Sequence, residues 1–468
     1  MTDAIRPASA SARDAVLHRP ADRALLLTGG TVVTQDPALG VLAPGDVLVQ
    51  GTRLTAVGPT GTVEAPADAA VVDVTGYLVA PGFVDTHRHA WETQLRLLMP
   101  DVDDLGSYVT TTLAGLAPAY TPDDVRTGTR LAALTALDAG ITCMLDFAHN
   151  ARSADHSDAA VEALLDTGIR GVHASMRPHF GDWDGQWPKD LERLRSRYFA
   201  SDDGLLTLRV AALATDEVAG PELAFGEELA HVARDLDVGV SVDAVFGASG
   251  SDAVVGWEAS GLLSPRVTLI HCTGLRPDAW AAMARTGTTV SLAPSSDAQI
   301  GLETAVPAID EARAVGIRPG LSIDVEVALA SDMGTQMRVL LAIQRMRAVE
   351  RAYGTTVAPE RIGVADVLAH ATLDGARTNG LGDVTGSLTP GKQADVVLVD
   401  AGAIGTMPAN DPVGTLVLAT GPREIRGVLV AGVARKWDGE LVGVDLAALR
   451  EEVTASRDAV LRRAARTR

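Results

Sequence analysis

Between Pro81 and about residue 380 the chain repeats one local pattern eight times: a short apolar run, then a stretch with helical periodicity. The runs are GFVDTH (82–87), ITCMLDF (141–147), RGVHAS (170–175), LLTLRVAALA (205–214), VGVSVDAV (238–245), RVTLIH (266–271), TTVSLA (288–293) and RPGLSID (318–324). Runs of this length are strands buried on both faces, and spacing such as Met333, Met337, Leu340, Leu341 and Gln344 marks the helices between them. Eight consecutive βα units over roughly 250 residues predict a TIM (β/α)8 barrel. Such a barrel carries its chemistry at the C-terminal ends of its strands. The polar residues that close the runs therefore bear on function.

A different rhythm flanks this region. LLLTGGTVV, GDVLVQG, RLTAVG and AAVVDV precede it, and GSLTPGKQADVVLVD, REIRGVLVAG and VARKWDG follow it, all short β-rich runs broken by turn residues. These segments predict a small composite β-sandwich domain built from both chain ends, residues 23–80 and 381–440, around a catalytic barrel of residues 81–380. Residues 1–22 read as a flexible tail. Residues 441–468 read as a C-terminal helix with Leu446, Leu449, Val453 and Val460 on one side, packed on the body or on a second subunit.

Charge narrows the function classes. Sixty acidic against forty basic residues leave a net charge of −20, which repels phosphate backbones and anionic lipid. No nucleic-acid or membrane partner is expected, and no run of 18 apolar residues is present. Cys143 and Cys272 lie inside separate apolar runs, and the first 22 residues lack the apolar core of a signal peptide. A cytoplasmic enzyme acting on a small molecule is the expectation.

The sharpest local signal is APGFVDTHRHAWETQLR, in which a buried strand ends in His87 and His89. Residues two apart on a strand face the same way, so both imidazoles can address one metal ion. His271 closes the sixth run and Asp324 the eighth, which brings both to the same end of the barrel.

With these residues the chain resembles the amidohydrolase superfamily, in particular the branch of cytosine and guanine deaminases and triazine hydrolases. PGFVDTHRH, LIHC, LSID and GSLTPGKQADVVLVD carry the likeness. The resemblance implies one divalent metal, zinc first and iron or manganese as alternatives. His87 and His89 would be ligands, Asp324 a ligand and base, and His271 a group that orients or protonates at the attacked centre. It also implies a homodimer. One departure stands out. Strand five of that family ends in a ligand His followed three residues later by a proton-moving Glu, whereas VSVDAVFG has Asp243 and Phe246 there. Asp243 is either a ligand or a turn residue. As a ligand it would add a second carboxylate and favour harder ions such as iron or manganese. Loss of the Glu removes a general acid worth about 10² to 10⁴ in rate, leaving His271, Asp324 or Glu326 to move the proton.

Further candidates for substrate contact are Trp91, Gln94, His149, His179, Asp297 and Glu326, with His173, Trp183, Trp187, Arg96 and Ser296 as weaker ones. GSLTPGKQ (386–393) imitates a phosphate loop, but Gln393 replaces its Ser or Thr and a strand follows in place of a helix. Strand four contains no lysine, and the chain has only Lys189, Lys392 and Lys436. The carbamylated lysine that bridges two metals in many amidohydrolases is thereby excluded, since arginine stays protonated. The expected activity is attack by metal-activated water on a C–N or C–halogen bond of a small, heterocyclic substrate. Two alternatives stay open: a lyase, decarboxylase or isomerase using Asp243 and Asp324 as acid and base, and an inactive ligand-binding homologue.

Overall fold

A computed structural model describes residues 10–20, 22–201, 203–217, 220–353 and 359–467. The eight apolar runs form eight parallel strands: β1 (Phe83–Arg88), β2 (Ile141–Ala148), β3 (Arg170–Ser175), β4 (Leu206–Leu213), β5 (Gly239–Phe246), β6 (Val267–Thr273), β7 (Thr289–Leu292) and β8 (Gly320–Leu321). They pair in sequence order from β1 to β8. β8 is short because its ladder changes character where it meets β1. The Asp85 carboxylate accepts from the backbone of Ile323 at 3.1 Å. Asp324 then donates to the carbonyl of His87 at 2.9 Å and accepts from the backbone of His89 at 3.1 Å. The barrel closes through the segments that carry the candidate metal ligands.

Helices with apolar inner faces surround the strands. Pro122–Asp138, for example, begins at a capping box in which Thr121 and Asp124 satisfy each other's backbone donors, and it buries Val125, Ala132, Ala133, Ala136 and Leu137.

The strands of the two chain ends come together in a separate mixed sheet of nine hydrogen-bonded strands. Val396–Asp400 pairs antiparallel with Tyr77–Pro81 and joins the C-terminal strands to the N-terminal ones. Leu25–Val33 has three strand partners, which makes the sheet branch. Leu25, Val47, Val72, Val396 and Trp437 form its separate apolar core. The phosphate-loop imitation lies against this sheet, with Leu388 donating to the carbonyl of Thr34 and Gly391 to that of Leu54.

Two terminal expectations change. Residues 1–9 of the expected tail lie outside the described residues, while Ala10–Leu17 is a helix whose Val16 packs into the sheet core. The C-terminal helix, Leu446–Thr467, packs on its own body. Val460 and Ala464 are buried, Ser456 donates to Asp124 at 2.7 Å, and Arg130 pairs with Glu452 at 3.0 Å. Leu446, read as part of its apolar side, is exposed. Among the described residues no helix is long and apolar enough to cross a membrane.

Candidate metal centre and active site

Three strand ends bend where the chemistry sits. Ala244, His271 and Asp324 have φ of 59°, 70° and 70°, a left-handed conformation that non-glycine residues adopt at a cost. The turn at each position redirects the chain as it leaves β5, β6 and β8. His87 and His89 project together from the end of β1.

The result is a buried convergence of five side chains. Asp324 Oδ1 is 3.1 Å from His87 Nε2 and 3.3 Å from His89 Nε2. Asp243 is 3.8 Å from both imidazoles and 3.4 Å from His271 Nε2. His87, His89 and Asp324 form one set with all ligand atoms within 4.8 Å of one another, and His87, Asp243 and His271 form a second. The sets share His87 and so describe a single centre. His87 is fully buried, and neither of its nitrogens has a hydrogen-bond partner despite the short approach to Asp324. Two groups aimed at a common point, not at each other, give that geometry. Two carboxylates and three imidazoles are a donor set that suits a divalent ion.

The electrostatics agree. Burial works against ionised carboxylates, but the close imidazoles of His87 and His89 and the charge of His271 hold Asp324 well below the usual range. Burial likewise opposes Asp243, and the charge of His87 with the bond and charge of His271 pull it down. Both carboxylates are ionised at neutral pH, the state that binds a cation. Burial would depress His89, yet its bond to Asp324 and the charges of Asp324 and Asp243 raise it to about 9. For His271 the bonds to Asp243 and Asp297 overcome burial and raise it well above its ordinary value.

Of the residues expected to contact substrate, several have other duties. Asp297 is fully buried and accepts from His271 Nδ1 at 2.9 Å, which fixes the ring and leaves Nε2 facing the centre. Glu326 is fully buried in an ionic network, 3.1 Å from Arg88 Nη1 and 2.7 Å from Arg96 Nε. Gln94 donates to the carbonyl of Asp124 at 3.0 Å, in the contact with the C-terminal helix. Trp91 is buried edge-on to Tyr120, with ring centroids 4.8 Å apart. Trp187 donates to the carbonyl of Ser175, and Arg177 stacks over Trp183. His173 pairs with Asp146 in the core. For Asp297, Glu326, Gln94, Trp187 and His173 the polar group found a nearer partner inside the fold, whereas the Trp91 indole N–H is buried without one.

His149 and His179 come closer to the site. The His149 ring lies 4.2 Å from that of His89, and the Nδ1 atoms of His149 and His179 are 3.2 Å apart. Burial, with the charge of His89, pushes His149 well below its ordinary value, and burial takes His179 down to about 4. The pair forms a neutral wall beside His89. Neither residue lines the cavity of ≈ 40 Å³ that opens onto Asp243, His271 and Asp324.

That cavity adds Leu105 and Tyr108, which no local pattern announced, and takes in Ser296, one of the weaker candidates from the sequence. Leu105 and Tyr108, from the long connection after β1, cover it, and Ser296 lines it from the helix Pro294–Ile300 after β7. Tyr108 donates to the fully buried Glu92 at 2.9 Å. Burial, only partly offset by the charge of His89, raises the Glu92 carboxyl to about 8. Asp85, whose carboxylate holds the backbone of His87 and Ile323 and the guanidinium of Arg88, was visible as a charge inside an apolar run. Cys272 is buried, which pushes its thiol well above the usual range and removes it as a nucleophile.

A barrel with this cluster at its strand ends and a mixed sheet made from both chain ends defines a metal-centred barrel hydrolase class. The profile of the amidohydrolase family matches residues 78–435, and the chain belongs to that family. It is 30% identical over 441 residues to an 8-oxoguanine deaminase of Pseudomonas aeruginosa, covering 88% of this chain and 94% of the relative. It is 29% identical over 426 residues to a 5-methylthioadenosine/S-adenosylhomocysteine deaminase of Symbiobacterium thermophilum, covering 87% and 92%. The fold superposes on an adenosine deaminase from Xanthomonas campestris with bound zinc, with a TM-score of 0.80, 24% identity and coverage of 93% and 98%. It also superposes on zinc-bound atrazine chlorohydrolase from Arthrobacter aurescens, with a TM-score of 0.78, 22% identity and coverage of 92% and 99%.

Proposed function

We propose that this chain is a mononuclear metal-dependent hydrolase that cleaves a C–N or C–halogen bond of a small heterocycle. The observation that carries this reading is the convergence of His87, His89, Asp243 and Asp324 around one buried point, with His271 held against it by Asp297. His87, His89, Asp243 and Asp324 would hold the ion, zinc first, with iron or manganese favoured by the second carboxylate. The bound ion supplies Lewis acidity and lowers the pKa of water. Asp324 would take a proton at Oδ2, a reading supported by that oxygen's distance of 4.0 Å from His271 Nε2. His271, held protonated with its Nδ1 on Asp297, would give its Nε2 proton to the departing group and then take the one from Asp324, or would steady charge that develops on the substrate. The small cavity and its cover keep bulk water out. The deaminase relatives support C–N cleavage, and the chlorohydrolase neighbour shares the fold.

The test is metal analysis of the full chain expressed in zinc-, iron- and manganese-supplemented media, followed by assays of ammonia and halide release. The assay panel contains 8-oxoguanine, 5-methylthioadenosine and halogenated triazines. About one equivalent of metal and turnover of one compound are expected. Far less than one equivalent under every supplement ends the reading.

A further inference from the structure

Apart from the metal-binding cluster, the wall of the ≈ 40 Å³ cavity carries two side-chain hydroxyls, Tyr108 and Ser296, among apolar side chains such as Leu105, Ile300, Leu302 and Val325. The two hydroxyls differ in what they have left to offer. Ser296 is 1% exposed and its Oγ has no hydrogen-bond partner. A buried hydroxyl without a partner costs about 1–3 kcal/mol unless something else satisfies it. Tyr108 is 5% exposed, and its proton is committed to Glu92. Its remaining capacity is to accept.

We infer that Tyr108 and Ser296 are specificity-determining residues that read a polar edge of the substrate while the apolar wall holds its ring. This assignment rests on the hydrolase reading above. Tyr108 accepts from a substrate N–H, and Ser296 donates to the acceptor beside it. Glu92 is a positioning residue, which acts by orienting the Tyr108 hydroxyl. The two contacts come from two separate segments at the barrel mouth, the connection after β1 and the helix after β7. Recognition therefore requires both segments to be in place over the metal centre. A site built in this way rejects a ligand that lacks the matching groups more strongly than it rejects one of slightly different size.

The experiment is calorimetric titration of the zinc-loaded full chain with adenine, cytosine and melamine, each of which presents an N–H beside a ring nitrogen. The tightest of the three is then titrated into Ser296→Ala, Tyr108→Phe and Glu92→Gln. Dissociation constants about tenfold higher are expected for Ser296→Ala and Tyr108→Phe, at unchanged zinc content, with a smaller rise for Glu92→Gln. Ser296→Ala should melt at or above the wild-type temperature, because its hydroxyl satisfies nothing in the fold. A serine with a structural role would lower it. Binding within twofold of wild type in both hydroxyl variants overturns the assignment, as does failure of all three compounds to bind the wild type. If Tyr108→Phe does not fold, the Ser296→Ala arm decides alone. Binding that weakens in the variants of a protein that takes up no metal and turns over nothing in the ammonia and halide assays would instead overturn the hydrolase reading and leave the recognition pair standing.

Discussion

His271 Nδ1 lies 2.9 Å from Asp297 Oδ1, and the pair links the end of β6 to the helix that follows β7. Asp297 thereby chooses which imidazole nitrogen faces the metal centre. Replacing Asp297 with Ala should lower turnover about 10- to 100-fold while circular dichroism stays the same. Unchanged turnover would mean that the packing around His271 suffices to orient it.

Asp243 stands where the family places a histidine. If it is a ligand, Asp243→His should keep or raise both zinc content and turnover, whereas Asp243→Asn should lose at least tenfold in metal affinity. Loss of activity in both variants, with metal retained, would favour a lyase that uses the carboxylate itself. Competition against a fluorescent zinc chelator reads the affinity.

Metal uptake should release protons. His89 is raised to about 9 and must be neutral to bind, so zinc affinity should climb as pH rises from 6 toward 9. Zinc titrations in buffers of different ionisation enthalpy report the proton count, and a count of zero at pH 7 contradicts the arrangement.

The metal-free protein should show the opposite trend in stability. His89 goes from 6.5 to about 9 on folding and Glu92 from 4.5 to about 8. A raised group contributes stability that is complete below its unfolded pKa and is lost as pH rises through the folded one. Asp243 and Asp324 are lowered, so their contribution is lost as pH falls below the carboxylate range. In chelator, the melting temperature should peak near about pH 5 and fall toward about pH 9. Glu92→Gln should flatten part of the alkaline fall.

Glu326 neutralises Arg88 and Arg96 beside the barrel closure. Glu326→Gln leaves the fully buried Arg88 with Asp85 as its one remaining carboxylate partner and should cost about 3–5 kcal/mol in urea denaturation. A loss under about 1 kcal/mol would show that Asp85 already balances Arg88.

The barrel strands were legible because the pattern that marks them is local. GFVDTH and RVTLIH are short, apolar and bounded, and the structure puts β1 and β6 within a residue or two of them. His87, His89, His271 and Asp324 were legible for the same reason: each closes such a run, and a barrel collects strand ends. The sheet domain was only half legible. Local alternation marked its strands, but the pairing of Val396–Asp400 with Tyr77–Pro81 across more than 300 residues made it one branched sheet.

What the sequence determined by itself is the barrel and the four strand-end residues that the structure brings together at one end of it. Each follows from residue type and spacing along one strand. Tertiary structure alone decided which polar side chains are spent on the fold. Glu326 and Gln94 bond to partners 30 to 362 residues away, and Asp297 serves His271 in place of substrate. Glu92 and Tyr108 meet across the connection after β1, and Ser296 is left unpartnered at the cavity. The physical reason is that a buried polar group must find the nearest partner in space, and proximity in space is not encoded by proximity in the chain.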